Sequence, residues 1–213
     1  MKERCAPKNF KLVGFLMANS LQDVTGRNSK TRPDPIAVIE KYYTPGTKSY
    51  EYIIRHGRMV ADKALSMAGA VLWLPPETIF IEEAALLHDI GIFMCDAPHL
   101  GCAGSYPYIA HGYLGRQILE DEGYPLHALV CERHVGCGLK LVEIKAANLP
   151  VPERDMMPIT SEEEIICFAD KFFPVTPERM LTEQSLDDAR EMVAAYGERP
   201  RKTFDRWAAK FGY

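Results

Sequence analysis

Nowhere in these 213 residues do about 18 apolar side chains follow one another, so an ordinary membrane-spanning helix is not expected. Positive charge is not in excess either: 25 lysines and arginines stand against 29 aspartates and glutamates, a formal net charge of -4. That balance argues against broad attraction to anionic lipid and against a stable nucleic-acid complex. No two of the six cysteines (Cys5, Cys95, Cys102, Cys131, Cys137 and Cys167) are spaced CxxC, so neither a zinc ribbon nor a thioredoxin-type redox site is indicated. Cys131 and Cys167 lie among apolar residues, where a reduced cysteine acts as a small hydrophobe. A reducing, cytoplasmic location is therefore expected. Internal repeats and low-complexity tracts are absent, and almost no segment alternates with period two, which speaks against a substantial sheet. The apolar stretch at 10–17 is short, is interrupted by Lys11 and lacks a small-residue cleavage site, so it reads as part of the mature chain.

What is present is the balance of a globular protein, 47% hydrophobic and 25% charged. The length suffices to bury a core without disulfides. Helical periodicity dominates from Asp34 onward. Asp34-Pro35 reads as an N-cap followed by proline at the first helical position; Ile36, Ile39 and Tyr43 then share a face until Thr44-Pro45-Gly46 stops the helix. Ser49 is placed to cap a long helix reaching about Ala68. Pro75-Pro76 introduces a helix over 78–93 whose centre is apolar nearly all round, apart from His88 and Asp89; such a helix belongs in the middle of a bundle. A loop rich in Gly, Cys, Pro and Tyr covers 96–108, and helices over 109–122 and 125–135 are separated by Gly123. Ser161-x-x-Glu164 reads as a capping box opening a helix over 162–173, and two more helices fall near 185–196 and 200–211. The expected fold class is all-α.

Polar side chains on apolar stripes carry the chemistry. His56 follows Ile53 by three and precedes Val60 by four; His111 precedes Leu114 by three; His134 follows Val130 by four; Asp170 follows Ile166 by four. With His88 and Asp89, these make four imidazoles and two carboxylates facing inward from five helices. A single inward histidine is more often a hydrogen-bonded core residue than a ligand. Buried carboxylates are harder to place, because each unpaired one loses several kcal/mol of hydration. Few lysines or arginines share those stripes, so a metal would satisfy the set. Nitrogen and oxygen donors without thiolate favour iron, manganese, cobalt or zinc. Six protein ligands exceed what one catalytic metal takes while leaving room for water, so two metals sharing a carboxylate fit better. Two such cations, about 3.5–4 Å apart, can hold a bridging hydroxide and polarise a phosphoryl oxygen.

Taken in order, these residues resemble the H…HD…H…H…D signature of the HD-domain metal-dependent phosphohydrolases, in the subtype that binds two metals. His56-Gly57-Arg58-Met59-Val60-Ala61 resembles the first-histidine helix, and Leu86-Leu87-His88-Asp89-Ile90-Gly91 the HDIG variant. Glu132-Arg133-His134-Val135-Gly136 and Phe168-Ala169-Asp170-Lys171 fit the last two stations. The resemblance implies an HD-domain helical bundle in which His56, His88, Asp89 and Asp170 hold one metal, while Asp89 bridges, as the catalytic carboxylate, to another held by His111 and His134. It implies two divalent or mixed-valence ions, iron or manganese first, with zinc, cobalt, nickel and magnesium as further candidates. Ile92 stands where many two-metal relatives carry a phosphate-neutralising lysine, and the GYP motif is missing, so the cyclic-dinucleotide phosphodiesterase branch matches less well. Arg133 and Lys171, beside ligands in sequence, either compensate for that lysine in holding substrate or are solvated surface charges. Tyr106, with Tyr108 and His99, stands on the loop before His111 and is a candidate for contact with a base or leaving group. His127, seven before His134, is a candidate supporting residue.

These readings divide the chain into an amino-terminal extension (1–33), an HD metal-binding helical domain (34–175) and a carboxy-terminal helical extension (176–213) that packs on the same domain or builds a homodimer contact. The expected function is hydrolysis of a phosphoester or phosphoanhydride in a small phosphorylated molecule, a nucleotide above all, by a metal-bridging hydroxide. The alternative is a di-iron HD-domain oxygenase acting on a small organophosphonate or polyol.

Overall fold

The computed structural model describes residues 32–69 and 77–213; the expectations for residues 1–31 and for Pro75-Pro76 lie outside these. The described residues form helices α1 (Pro35–Ile39), α2 (Lys48–Ala68), α3 (Thr78–Leu87), α4 (His111–Asp121), α5 (Pro125–Arg133), α6 (Leu141–Ala146), α7 (Ser161–Asp170), α8 (Leu186–Ala194) and α9 (Glu198–Lys210). The only sheet among them pairs β1 (Asp96–Ala97) with β2 (Cys102–Ala103), antiparallel. The fold class is all-α. Among the described residues no helix is long and apolar enough to cross a membrane.

Helix starts follow side-chain oxygens. Asp34 Oδ1 accepts from the backbone N–H of Ile36 (3.1 Å) and Ala37 (3.2 Å), with Pro35 at the first helical position. The long helix α2 begins one residue before Ser49, because Thr47 is the cap and accepts from Tyr50 N at 3.3 Å. At α7 the cap is likewise displaced by one: Thr160 accepts from Glu163 N at 3.2 Å, and Ser161 is already helical.

Two apolar clusters sandwich the middle of the molecule. One joins α2, α3, α7, α8 and α9 through residues such as Val60, Ile81, Phe168, Phe204 and Trp207. The other joins α1 to α5 through Ile39, Ile53, Leu87, Ile118 and Cys131. Cys131 and Cys167 are buried free thiols. Phe168 on α7 packs against Phe204 at 4.8 Å between ring centroids, so α9 shares the core of the preceding helices.

The expected helix over 78–93 departs from its prediction at the informative place. It ends at Leu87, and Ile90–Met94 continue as a tighter 3-10 turn, with Asp89 between at φ -103°, ψ 10°. The buried Tyr43 hydroxyl compensates the broken backbone pattern, donating to Ile90 O (3.0 Å) and accepting from Phe93 N (3.1 Å). Two glycines make the crossings close: a Cβ on Gly91 would lie 2.2 Å from His111 O, and one on Gly57 would lie 3.0 Å from Leu86 Cα. The first brings the Asp89 turn onto α4, the second brings α2 onto α3. Helix α6 was not expected from the sequence, whose short run at 141–146 carries little periodicity.

Candidate metal centre

His56 projects from the middle of α2, and His88 and Asp89 from the end of α3. His111 opens α4, His134 caps the end of α5, and Asp170 closes α7. The structure brings all six together. Asp89 Oδ2 lies 3.4 Å from His56 Nε2 and 3.6 Å from His88 Nε2, while its other oxygen, Oδ1, lies 3.3 Å from both His111 Nε2 and His134 Nε2. Asp170 Oδ1 completes the first half, at 3.1 Å from His56 Nε2 and 3.5 Å from His88 Nε2. Donor atoms within 4.8 Å of one another form two ligand-capable groups, His56–His88–Asp170 and His88–Asp89–His134.

Ring orientation is set locally and identically three times. Nδ1 of His88, His111 and His134 donates to the carbonyl three residues earlier: Ala85 O at 2.6 Å, Tyr108 O at 2.6 Å and Cys131 O at 2.7 Å. A carbonyl only accepts, so Nδ1 carries a proton, and in the neutral ring Nε2 presents a lone pair to the centre. His88 Nε2 is buried without a hydrogen-bond partner. His111 Nε2 and His134 Nε2 face each other at 3.0 Å. Burial lowers the pKa of both, that of His134 to about 4, so at neutral pH neither supplies a proton to bridge the gap. Burial also pushes His88 down, but Asp89 and Asp170 more than reverse it, to about 9. The carboxylates thus call for positive charge at that nitrogen. Asp89 is held well below the usual carboxylate range against the effect of burial, by His88, His134, His111 and His56. One buried and one partly buried carboxylate with one adjacent lysine, an orphaned imidazole nitrogen and two opposed lone pairs fit divalent cations.

The centre opens into a cleft of about 670 Å³ that Asp89, His111, His134 and Asp170 line, and that runs on to α8 and α9. Lys171 lines it too, yet its ammonium is committed: Nζ donates to Asp170 Oδ2 at 2.7 Å and to His134 O at 3.1 Å. Burial would lower its pKa, but Asp170 raises it, so the lysine stays charged and ties together residues of both halves. The other substrate candidates lie elsewhere. Arg133 Nη1 donates to Glu163 Oε1 at 2.7 Å, drawn to a buried carboxylate on α7, and does not line the cleft. Tyr106 is 40% exposed and also lies off it, because its backbone is engaged with Met94 and Asp96; Tyr108 takes the place beside the centre, its ring 4.7 Å from that of His111. His127 faces Glu83 at 3.3 Å and Phe80, away from the six.

Residues without a sequence signal complete the surroundings. Arg199 Nη1 donates to Cys137 O at 3.1 Å and Nη2 to Gly138 O at 2.7 Å, while Nε and Nη2 grip both oxygens of Glu143. The turn that follows His134 is thereby fastened to α6 and α9.

A family model described as HD domain matches residues 53–174. The chain belongs to the HD domain family. The match takes in all six clustered residues and stops before α8 and α9. Among curated relatives, a tRNA (cytidine(56)-2'-O)-methyltransferase of Thermoplasma volcanium is 28% identical over 86% of this chain and 48% of its own length. A protein of the same name from Picrophilus torridus is 30% identical over 66% of this chain and 36% of its own length. An uncharacterized protein of Methanocaldococcus jannaschii is 32% identical over 56% of this chain and 65% of its own length. The chain thus spans about half the length of the first of these relatives, and methyl transfer is said of those longer proteins. Among solved structures, the HD domain of the phosphodiesterase PgpH from L. monocytogenes covers 84% of this chain and 97% of that one, at 16% identity and a TM-score of 0.47.

Proposed function

We propose that this HD domain is a metal-dependent phosphohydrolase, cleaving a phosphoester or phosphoanhydride of a small, nucleotide-sized molecule. The observation that carries the reading is the pair of imidazole nitrogens of His111 and His134, 3.0 Å apart, with Asp89 Oδ1 3.3 Å from each: three donors converging where these residues line a cleft. His56, His88, Asp170 and Asp89 Oδ2 would hold one cation, and His111, His134 and Asp89 Oδ1 a second. When bound, such cations lower the pKa of water and withdraw charge from a phosphoryl oxygen. The chain's own part is positioning. Three carbonyls lock the imidazoles as lone-pair donors. Asp89 spans both halves, and Lys171 fixes Asp170 in one half against the His134 carbonyl of the other. Tyr108, whose hydroxyl burial keeps protonated, lines the cleft beside His111. Apolar walls from Ile109, Phe173 and Val175 limit bulk water.

Phosphate release from a nucleotide panel tests this, measured with manganese or iron(II) and after exhaustive chelation. Expected is loss of release on chelation and recovery with metal, with the same rate in air and under strict anaerobiosis. Full activity after chelation would overturn the reading. Turnover that consumes oxygen would replace it with oxygenase chemistry at the same residues.

A further inference from the structure

The cleft extends well beyond the metal-ligating cluster, and its far wall is not part of the matched family segment. Met192 and Val193 of α8, Tyr196 in the connector and Pro200 of α9 build that wall. Tyr196 is 73% exposed, a large aromatic side chain left at the rim of an otherwise apolar recess. Its backbone is nonetheless fixed, with Tyr196 N donating to Val193 O at 3.1 Å. The charge along the cleft is as informative. Its lysine and arginine among the described residues are Lys171 and Arg199, and both are consumed within the protein, by Asp170 and the His134 carbonyl and by Glu143 and two carbonyls. A second or third phosphate would meet no uncommitted cation there, whereas an uncharged ring would meet apolar surface and one exposed aromatic face.

We propose that the cleft takes a singly phosphorylated molecule whose uncharged, ring-bearing part lies along the wall made by α8 and α9, stacked on Tyr196. Tyr196 is then a specificity-determining residue supplied from outside the shared family segment. The volume of about 670 Å³ is in the range of small-molecule sites. The inference rests on the phosphohydrolase reading for the phosphoryl end and stands by itself for the ring end.

The test pairs calorimetric binding of adenosine and of ribose, neither of which can lose phosphate, with phosphate release from AMP, ADP, ATP and ribose 5-phosphate. Expected is binding of adenosine but not ribose, and kcat/KM highest for AMP. Tyr196→Ala should weaken adenosine binding and raise the KM for AMP by about tenfold, the scale of one lost aromatic stack, while Tyr196→Phe retains both. Because the side chain is exposed, its truncation does not threaten the core. Preference for ATP, or an Ala variant with unchanged adenosine binding, would overturn the proposal. Adenosine binding without phosphate release from any compound sinks the hydrolase reading and keeps the ring subsite. Equal release from AMP and ribose 5-phosphate does the reverse.

Discussion

The two halves of the cluster are built from the same residue types and differ in depth and charge. His56 and His88 sit behind the cleft, joined by one oxygen of Asp89 and by Asp170, which reaches the cleft wall, so two carboxylates serve that half. His111 and His134 line the cleft and share only the other oxygen of Asp89. The contrast teaches a division of labour. Under the proposed function, the two carboxylates of the deep half would retain a cation, and the shallow half, which lines the cleft, would meet the substrate.

Asp89 belongs to both halves, so its change is the most damaging. Asp89→Asn should lower turnover on the order of a thousandfold and leave less than one tightly held cation per chain by elemental analysis. A variant with full stoichiometry would break the two-half description at its hinge. The next test separates the halves. His111→Ala should lose the shallow cation and keep the deep one, whereas His88→Ala should release the deep one first; each should cost activity by at least about a hundredfold. Equal loss from both variants would mean one undivided site. Gly91→Ala sharpens the comparison without touching a ligand, since its methyl would overlap the His111 carbonyl. Expected is a loss of about 1–3 kcal/mol in denaturant titration and weaker binding at the shallow half alone. Smallest is Arg133→Met, which leaves buried Glu163 without its arginine. It should cost about 1–2 kcal/mol of stability and change turnover less than twofold, the result expected of a residue that belongs to neither half.

The six clustered residues could be read from the sequence because each sits on an apolar stripe where a polar side chain is conspicuous. Their neighbours obey a different logic. Arg133 and Lys171 are both adjacent to a clustered residue, and sequence adjacency says nothing of direction: one turns to Glu163, the other to Asp170. Tyr106 and Tyr108 are two apart on one loop, and only the backbone pairing of residues 94–106 decides that the second faces the centre. The early end of α3 was hidden by its uniformly apolar composition, which marks burial but not where the backbone leaves the helix. Arg199 gave no signal at all, because two of its partners are main-chain carbonyls, which have no letter in a sequence, and its carboxylate partner Glu143 is 56 residues away.

That arginine has a consequence for how the molecule is assembled in time. It is translated 62 residues after Cys137, whose carbonyl it holds. A growing chain can therefore expose every candidate ligand while the turn beyond His134 still lacks its last fastening. The order of synthesis leaves that turn unfastened until α9 has been made.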